Sequence, residues 1–263
     1  MASNWALITG ASSGIGLEMA RIHAARGGNL VLVARRSDAL EQIKTELSGT
    51  YPKIQVNCIV QDLAQADAAL MVWEKTKALG IRIDLLVNNA GFGDFGYFHR
   101  LDAKRMSSMI HLNILALTEL CRYYLPDMVE RKSGGILNVA STAAFQPGPG
   151  MSVYFATKAY VLSFSEGLYE EVKDFGVRIS ALCPGPTGTQ FFDAANMSGT
   201  RLTRLMPMPS AKAVAELGYN SLMSGKAVSI HGMSNRFLVF LLRFTPRSIV
   251  RRLSKKIIGV DIH

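Results

Sequence analysis

Tyr154-Phe155-Ala156-Thr157-Lys158 sets a phenol and an ammonium four residues apart, which on a helix places both on one face. A cation beside a phenol favours the phenolate and is expected to lower the Tyr154 pKa towards neutrality. A phenol tuned in this way can protonate a carbonyl oxygen as hydride reaches the carbon, or act as base in the reverse reaction. The spacing alone is common, so the pair acquires meaning from what surrounds it.

A second chemical feature stands near the start of the chain. Thr9-Gly10-Ala11-Ser12-Ser13-Gly14-Ile15-Gly16 follows an apolar segment and runs into a helical pattern. Glycines at GxxxGxG spacing let the backbone approach a pyrophosphate, whose charge a helix N-terminus stabilises. A purely conformational turn would also use glycine, but the strand before and the helix after favour dinucleotide binding. The next apolar segment ends in Arg35-Arg36. An acidic residue there would accept bonds from the adenosine ribose and repel a 2′-phosphate. Two guanidiniums are suited instead to gripping that phosphate, so the expected cofactor is NADP(H) rather than NAD(H). Asp38, with Ser37 as the rival, is expected to cap the helix that follows.

These side chains need a scaffold, and the chain supplies alternating apolar strands and amphipathic helices. Strands are predicted at Trp5–Thr9, Leu30–Ala34, Ile54–Ile59, Leu85–Asn88, Gly135–Ala140, Arg178–Leu182 and Ala227–Ile230. Helices are predicted at Ile15–Arg26, Ala39–Leu47, Ala64–Leu79, Tyr154–Phe175 and Ala211–Ser224, among others. Apolar strands alternating with helices imply an α/β fold, a doubly wound parallel seven-stranded sheet with helices on both faces. The 263 residues suit one such domain over 1–232, with a substrate lid at 187–210. Residues 233–263 form a basic amphipathic C-terminal extension, in which Pro246 is expected to open a helix with Ile249, Val250, Leu253 and Ile257 on one face.

Taken together, Thr9–Gly16, Asp62, Asn88-Asn89-Ala90-Gly91, Asn113, Ser141, Tyr154, Lys158 and Pro184–Thr189 resemble, in order and spacing, the motifs of the short-chain dehydrogenase/reductase family in its compact single-domain branch. The resemblance covers roughly residues 3–232 and implies a Rossmann-type fold. Within that family the chain is similar to poorly characterised bacterial NADP-dependent carbonyl reductases. The resemblance implies that Ser141 orients the substrate oxygen towards Tyr154. It implies that Lys158 binds the nicotinamide ribose, and that Asn113 holds a water in a proton relay from Lys158. It assigns Gly10, Ser12, Ser13, Gly14, Ile15 and Gly16 to the cofactor phosphates, and Asp62 and Leu63 to the adenine. Asn89, Ala90 and Gly91 would line the adenosine side, with Asn88 stabilising the central strand. Pro184, Gly185, Thr187 and Thr189 would meet the nicotinamide amide.

The remaining residues bound the function more loosely. Cys58, Cys121 and Cys183 are far apart, odd in number and set in or beside apolar runs, so buried core thiols are expected. The five histidines lack metal-ligand spacing, and no metal is expected. Trp5 and Trp73 read as packing residues. The net charge of +9 concentrates in the tail. Arg236, Arg243, Arg247, Arg251, Arg252, Lys255 and Lys256 follow one another there without an acidic residue among them. The body is therefore no nucleic-acid binder by charge. The tail reads as a docking element for a neighbouring subunit or for its own domain, with a membrane surface as the alternative. A secretory signal and a membrane-spanning run are both absent, so the expected location is the cytoplasm, with the membrane surface reached only through the tail. Phe191, Phe192, Met197, Leu202, Leu205, Met206 and Met208 in the lid, closed by Pro207 and Pro209, suit a hydrophobic ketone or alcohol. Gly148–Gly150 and Phe92–Tyr97 are expected to border that pocket. The leading expectation is an NADP(H)-dependent carbonyl reductase, a homo-oligomer acting on a small hydrophobic substrate. The alternatives are a 3-oxoacyl-thioester reductase and, outside catalysis, a dinucleotide-sensing or membrane-scaffold protein.

Overall fold

Runs such as Leu85–Asn88 and Gly134–Val139 are buried along their whole length, as strands must be when helices cover both faces of a sheet. The structure, a computed structural model, describes residues 4–195 and 208–259. Its strands are β1 (Trp5–Thr9), β2 (Asn29–Ala34), β3 (Val56–Val60), β4 (Leu85–Asn88), β5 (Gly134–Val139), β6 (Val177–Cys183) and β7 (Val228–Ile230). They form one parallel sheet in the order β3-β2-β1-β4-β5-β6-β7. Strand order reverses between β1 and β4, and in such sheets ligands bind at that switch, beyond the C-terminal strand ends.

On one face lie α1 (Gly14–Ala25), α2 (Ser37–Thr50) and α8 (Ala211–Met223), packed on a core that includes Ile8, Leu32, Leu137 and Leu182. On the other lie α3 (Ala68–Ala78), α5 (Leu117–Glu130) and α6 (Ser152–Val172), over Leu7, Val31, Leu86 and Ile136. Alternate residues of β1 serve the two cores, as the two-residue strand period requires. A helix α4 (Ala103–Ile110) runs through a π-helical segment, His111–Ala116, directly into α5. The short α7 (Phe191–Ala194) begins the lid. Two further helices, α9 (Met233–Leu242) and α10 (Arg247–Ile258), complete the chain.

Several local expectations are corrected. β3 starts at Val56 because the Ile54 N–H closes a turn on the Tyr51 carbonyl, at 3.1 Å. β3 pairs only with β2, and at that sheet edge Cys58 is half-buried rather than a core thiol; Cys121 and Cys183 are buried. α3 starts at Ala68, not Ala64, because Asp62 holds the preceding turn by accepting from the Ala64 N–H at 3.1 Å. Neither Ser37 nor Asp38 caps α2. Arg36 occupies the cap position with no side-chain bond, and Asp38 stands in the first turn, where its charge suits the helix dipole.

Candidate active site

The glycine-rich turn connects β1 to α1 at the switch point. Gly10 has φ +62°, and a Cβ there would lie 2.8 Å from Asn89 Nδ2, so this position admits little besides glycine. Gly16 packs as tightly against Asn89 and the Gly10 carbonyl, beneath the turn. Asn89 Nδ2 donates to the carbonyls of Thr9 and Gly10 at 2.9 and 3.2 Å. Thr9 Oγ1 in turn accepts from the N–H groups of Asn89 and Ala90, both at 3.0 Å. Asn89 is therefore a clasp between β1 and β4. Asn88 sits one layer deeper, where its Nδ2 donates to Asn138 Oδ1 at 2.9 Å, and Asn138 Nδ2 donates to Ser165 Oγ at 2.9 Å.

This clasp leaves bare backbone and the uncapped start of α1 facing a cavity of about 740 Å³. Ser12, Ser13, Gly14 and Ile15 line it at the turn, Arg35 and Arg36 beyond β2, and Asp62 and Leu63 beyond β3. Asn89, Ala90 and Gly91 line it from β4, and Pro184, Gly185, Thr187 and Thr189 from the far side, where a Gly14 Cβ would lie 3.0 Å from Thr189 Cγ2. Gly16 is the one candidate cofactor residue behind the lining. The Arg36 guanidinium reaches Ser12 Oγ at 3.3 Å and Gln190 Oε1 at 3.5 Å, which holds it exposed at the mouth. Glycines that a Cβ would fill, a free helix N-terminus and two exposed guanidiniums fit a phosphorylated dinucleotide.

At the other end, α6 buries the stripe Tyr154, Thr157, Lys158, Val161, Leu162 and Ser165. Helical spacing thus carries the phenol and ammonium inward along with the core residues. Lys158 Nζ donates to the Val139 carbonyl at 2.7 Å and lies 5.8 Å from the centroid of the Tyr154 ring. Burial pulls the Lys158 ammonium down to about 8. It pushes the Tyr154 phenol up to about 12, an effect that a hydrogen bond with the Ser141 side chain offsets in part. The lowering of Tyr154 expected from a neighbouring cation is therefore overturned: desolvation outweighs attraction at this separation. Ser141 Oγ accepts from the Ala143 N–H at 3.1 Å, which fixes the hydroxyl at the end of β5. Asn113 lies within the π-helical segment and behind the lining. Its Oδ1 accepts from the Phe92 N–H at 3.2 Å, and its Nδ2 donates to Phe92 O and Thr157 Oγ1, each at 3.0 Å.

The substrate side is apolar. The Phe191 ring lies 5.2 Å from that of Tyr154, tilted 48° to it, and Phe192, Met151 and Phe155 also face the cavity. Of the segments expected to border it, Phe92 does so, whereas Gly148–Gly150 are not in its lining and Gly148 packs against the Phe155 ring. Met197, Leu202, Leu205, Met206 and Pro207 lie outside the described residues. Sequence reasoning missed the wall made by the tail: Leu238, Leu242, Val250, Leu253, Ser254 and Ile258, among others, line the same cavity. α10 buries Val250, Ser254 and Ile258, and Ser254 Oγ donates to the Pro147 carbonyl at 2.7 Å. Ile249, Leu253 and Ile257 are exposed instead. The i, i+4, i+8 spacing of Val250, Ser254 and Ile258 was available as a signal, but a serine in the middle hid it.

Residues 4–198 match the family model for short chain dehydrogenases. The chain is 36% identical to the very-long-chain 3-oxoacyl-CoA reductase of Bos taurus over 186 residues, which cover 68% of this chain but 58% of that protein's length. It superposes on a short-chain dehydrogenase from Sphingobium yanoikuyae in complex with NADPH, with a TM-score of 0.82, 29% identity, and 99% and 98% of the two chains covered. A bulky-bulky ketone specific alcohol dehydrogenase from Comamonas testosteroni gives a TM-score of 0.79 at 28% identity, covering 100% of this chain and 98% of its own. The sheet order, the glycine clasp, the Tyr154/Lys158 helix and the family match agree, and the chain belongs to the short-chain dehydrogenase/reductase family of oxidoreductases.

Proposed function

We propose that the chain is an NADP(H)-dependent oxidoreductase interconverting a hydrophobic ketone or aldehyde with its alcohol. The observation that carries this reading is one cavity reaching unbroken from Arg35 and Arg36, past Tyr154, to the apolar side chains of α9 and α10. When bound, the cofactor supplies or accepts the hydride. The Ser141 hydroxyl holds the substrate oxygen, and Tyr154 Oη gives that oxygen its proton in the reductive direction. A phenol held up to about 12 remains protonated at neutral pH, so it is ready to serve as the acid. Lys158 positions the cofactor ribose beside Tyr154, and Asn113 keeps the turn at Phe92 closed behind the reacting groups. Arg36 and Arg35 select the phosphorylated cofactor. Residues 1–232 carry this chemistry, and 233–263 form the extension whose described helices wall the pocket.

A second reading within the same chemistry is a 3-oxoacyl-thioester reductase, favoured by the likeness to a very-long-chain 3-oxoacyl-CoA reductase. Exposed Ile110, Leu115 and Tyr160 near the junctions of α4, α5 and α6 support self-association into a dimer or tetramer. The proposed location is the cytoplasm, with peripheral contact at a membrane surface through the extension. NADPH absorbance followed against bulky ketones, diketones and 3-oxoacyl thioesters tests the reading. Tyr154→Phe is expected to lower kcat by about 10²–10⁴-fold while NADPH still binds. Undiminished turnover in that variant would sink the mechanism.

A further inference from the structure

The helices that wall the cavity also carry the most conspicuous unpartnered surface of the described molecule. On α9 and just beyond it, Met233, Phe237, Phe240 and Phe244 recur at three- to four-residue intervals and are exposed, Phe244 to 72%. On α10, Ile249, Leu253 and Ile257 form a second exposed row, again one helical turn apart. Ordinary surfaces scatter single apolar residues, whereas two adjoining rows mark a contact site.

The charge around these rows says what they contact. Seven cations lie between Arg236 and Lys256 with no acidic residue among them. None of the seven forms an ion pair among the described residues. Arg252 follows Ile249 by three residues and Lys256 follows Leu253 by three, so cations border the α10 row on its own helix. A second copy of the chain meeting this face about a two-fold axis would bring like charges together, which opposes association. An anionic lipid surface instead offers negative headgroups to the cations and, a few ångströms deeper, an apolar layer to the rows.

One further observation ties this face to the site. Leu238, Leu241, Leu253 and Ile257 are each 41% or more exposed and also line the cavity. These four side chains of the apolar face therefore rim the cavity at its α9–α10 end.

We propose that α9 and α10 seat the protein on an anionic bilayer surface, with the aromatic and aliphatic rows entering the headgroup–acyl boundary and that end of the cavity opening towards the lipid. A carbonyl substrate dissolved in the bilayer then enters along Leu238, Leu241, Leu253 and Ile257 without crossing water. The docking surface stands on exposure and charge alone; what enters the cavity rests on the function proposed above.

The full chain, incubated with vesicles of phosphatidylcholine or of phosphatidylcholine with about one-third phosphatidylglycerol, tests this by co-sedimentation. Binding to the anionic vesicles is expected to be about tenfold or more the stronger, and to weaken as salt is raised. A triple variant, Phe237→Gln, Phe240→Gln and Phe244→Gln, replaces three residues that are not themselves part of the cavity lining. It should lose vesicle binding while melting normally and turning over a water-soluble ketone as before. Where that variant folds poorly, Arg252→Glu with Lys256→Glu, neither of which lines the cavity, is the second probe, and should abolish the preference for anionic lipid. Equal sedimentation of the wild type with both vesicles overturns the proposal. So does a triple variant that changes oligomeric state and leaves vesicle binding intact. Vesicle binding without turnover of any ketone or thioester would refute the enzymatic reading and leave the docking surface standing.

Discussion

Lys158 is a buried cation whose hydrogen-bond partner is a neutral carbonyl, that of Val139. Its folded-state value of about 8 lies below the ordinary 10.5, so between those two pH values the unfolded chain binds more protons than the folded one. Stability must then rise with pH across that window. Tyr154 acts in the opposite sense: raised from 10.0 to about 12, it keeps a proton that the unfolded chain has lost, and stability falls above pH 10. Buried Cys121 and Cys183, raised from 9.0 to about 12, act in the same sense as Tyr154 above pH 9, so chemical denaturation of the cofactor-free protein should show stability increasing from about pH 8 to pH 9 and declining beyond pH 10. Lys158→Met should flatten the rising limb, and an unchanged limb in that variant would refute the assignment. Arg36 gives a separate prediction. It is held at the cavity mouth by Ser12 and Gln190 and forms no ion pair among the described residues, so Arg36→Ala should weaken NADPH binding by about tenfold or more and NADH binding little. Fluorescence titration with both cofactors measures the difference; equal losses would remove the argument from the 2′-phosphate.

Among the elements, the turn between β1 and α1 has the least freedom. Gly10→Ala forces a Cβ into a left-handed backbone, costing roughly 1–2 kcal/mol, and drives it against Asn89, which ties β1 to β4. The expected result is a lower Tm together with loss of NADPH binding, measured by calorimetry and titration; normal binding in a destabilised variant would separate the clasp from the site. The π-helical stretch His111–Ala116 has a comparable role in placing Asn113. Its position among helical residues was legible, but one extra residue per turn has no signature in apolar periodicity. The strand cores, by contrast, were readable nearly residue for residue, because doubly covered strands must be apolar throughout. Boundaries shifted where a side chain or turn bond outcompeted propensity, as at Asp62 and Ile54.

At the scale of the molecule, the dinucleotide sheet and the tail meet in one cavity. Three buried aliphatic side chains, Val239, Val250 and Ile258, and the Ser254–Pro147 bond hold α9 and α10 against it. That is a thin anchor for two helices. Truncation after Gly232 should leave NADPH binding largely intact while raising KM for a bulky ketone by about tenfold or more. An unchanged KM would show that the tail does not contribute to the substrate wall. Among the described residues no helix is long and apolar enough to cross a membrane.

The amino-acid sequence by itself determined the sheet, the glycine turn, the arginine pair and the Tyr154/Lys158 face, because each depends on residue type at short, fixed spacing. Tertiary structure alone decided the rest. Burial set the ionisation of Tyr154 and Lys158 against the expectation from their proximity, since desolvation depends on everything packed around a group and not on its neighbour in the helix. Packing also turned α10 so that Val250, Ser254 and Ile258 face inward, leaving Leu253 and Ile257 on the rim. A helix with apolar residues on two faces has no single inward side until a partner surface, here the loop at Pro147, is present to select one.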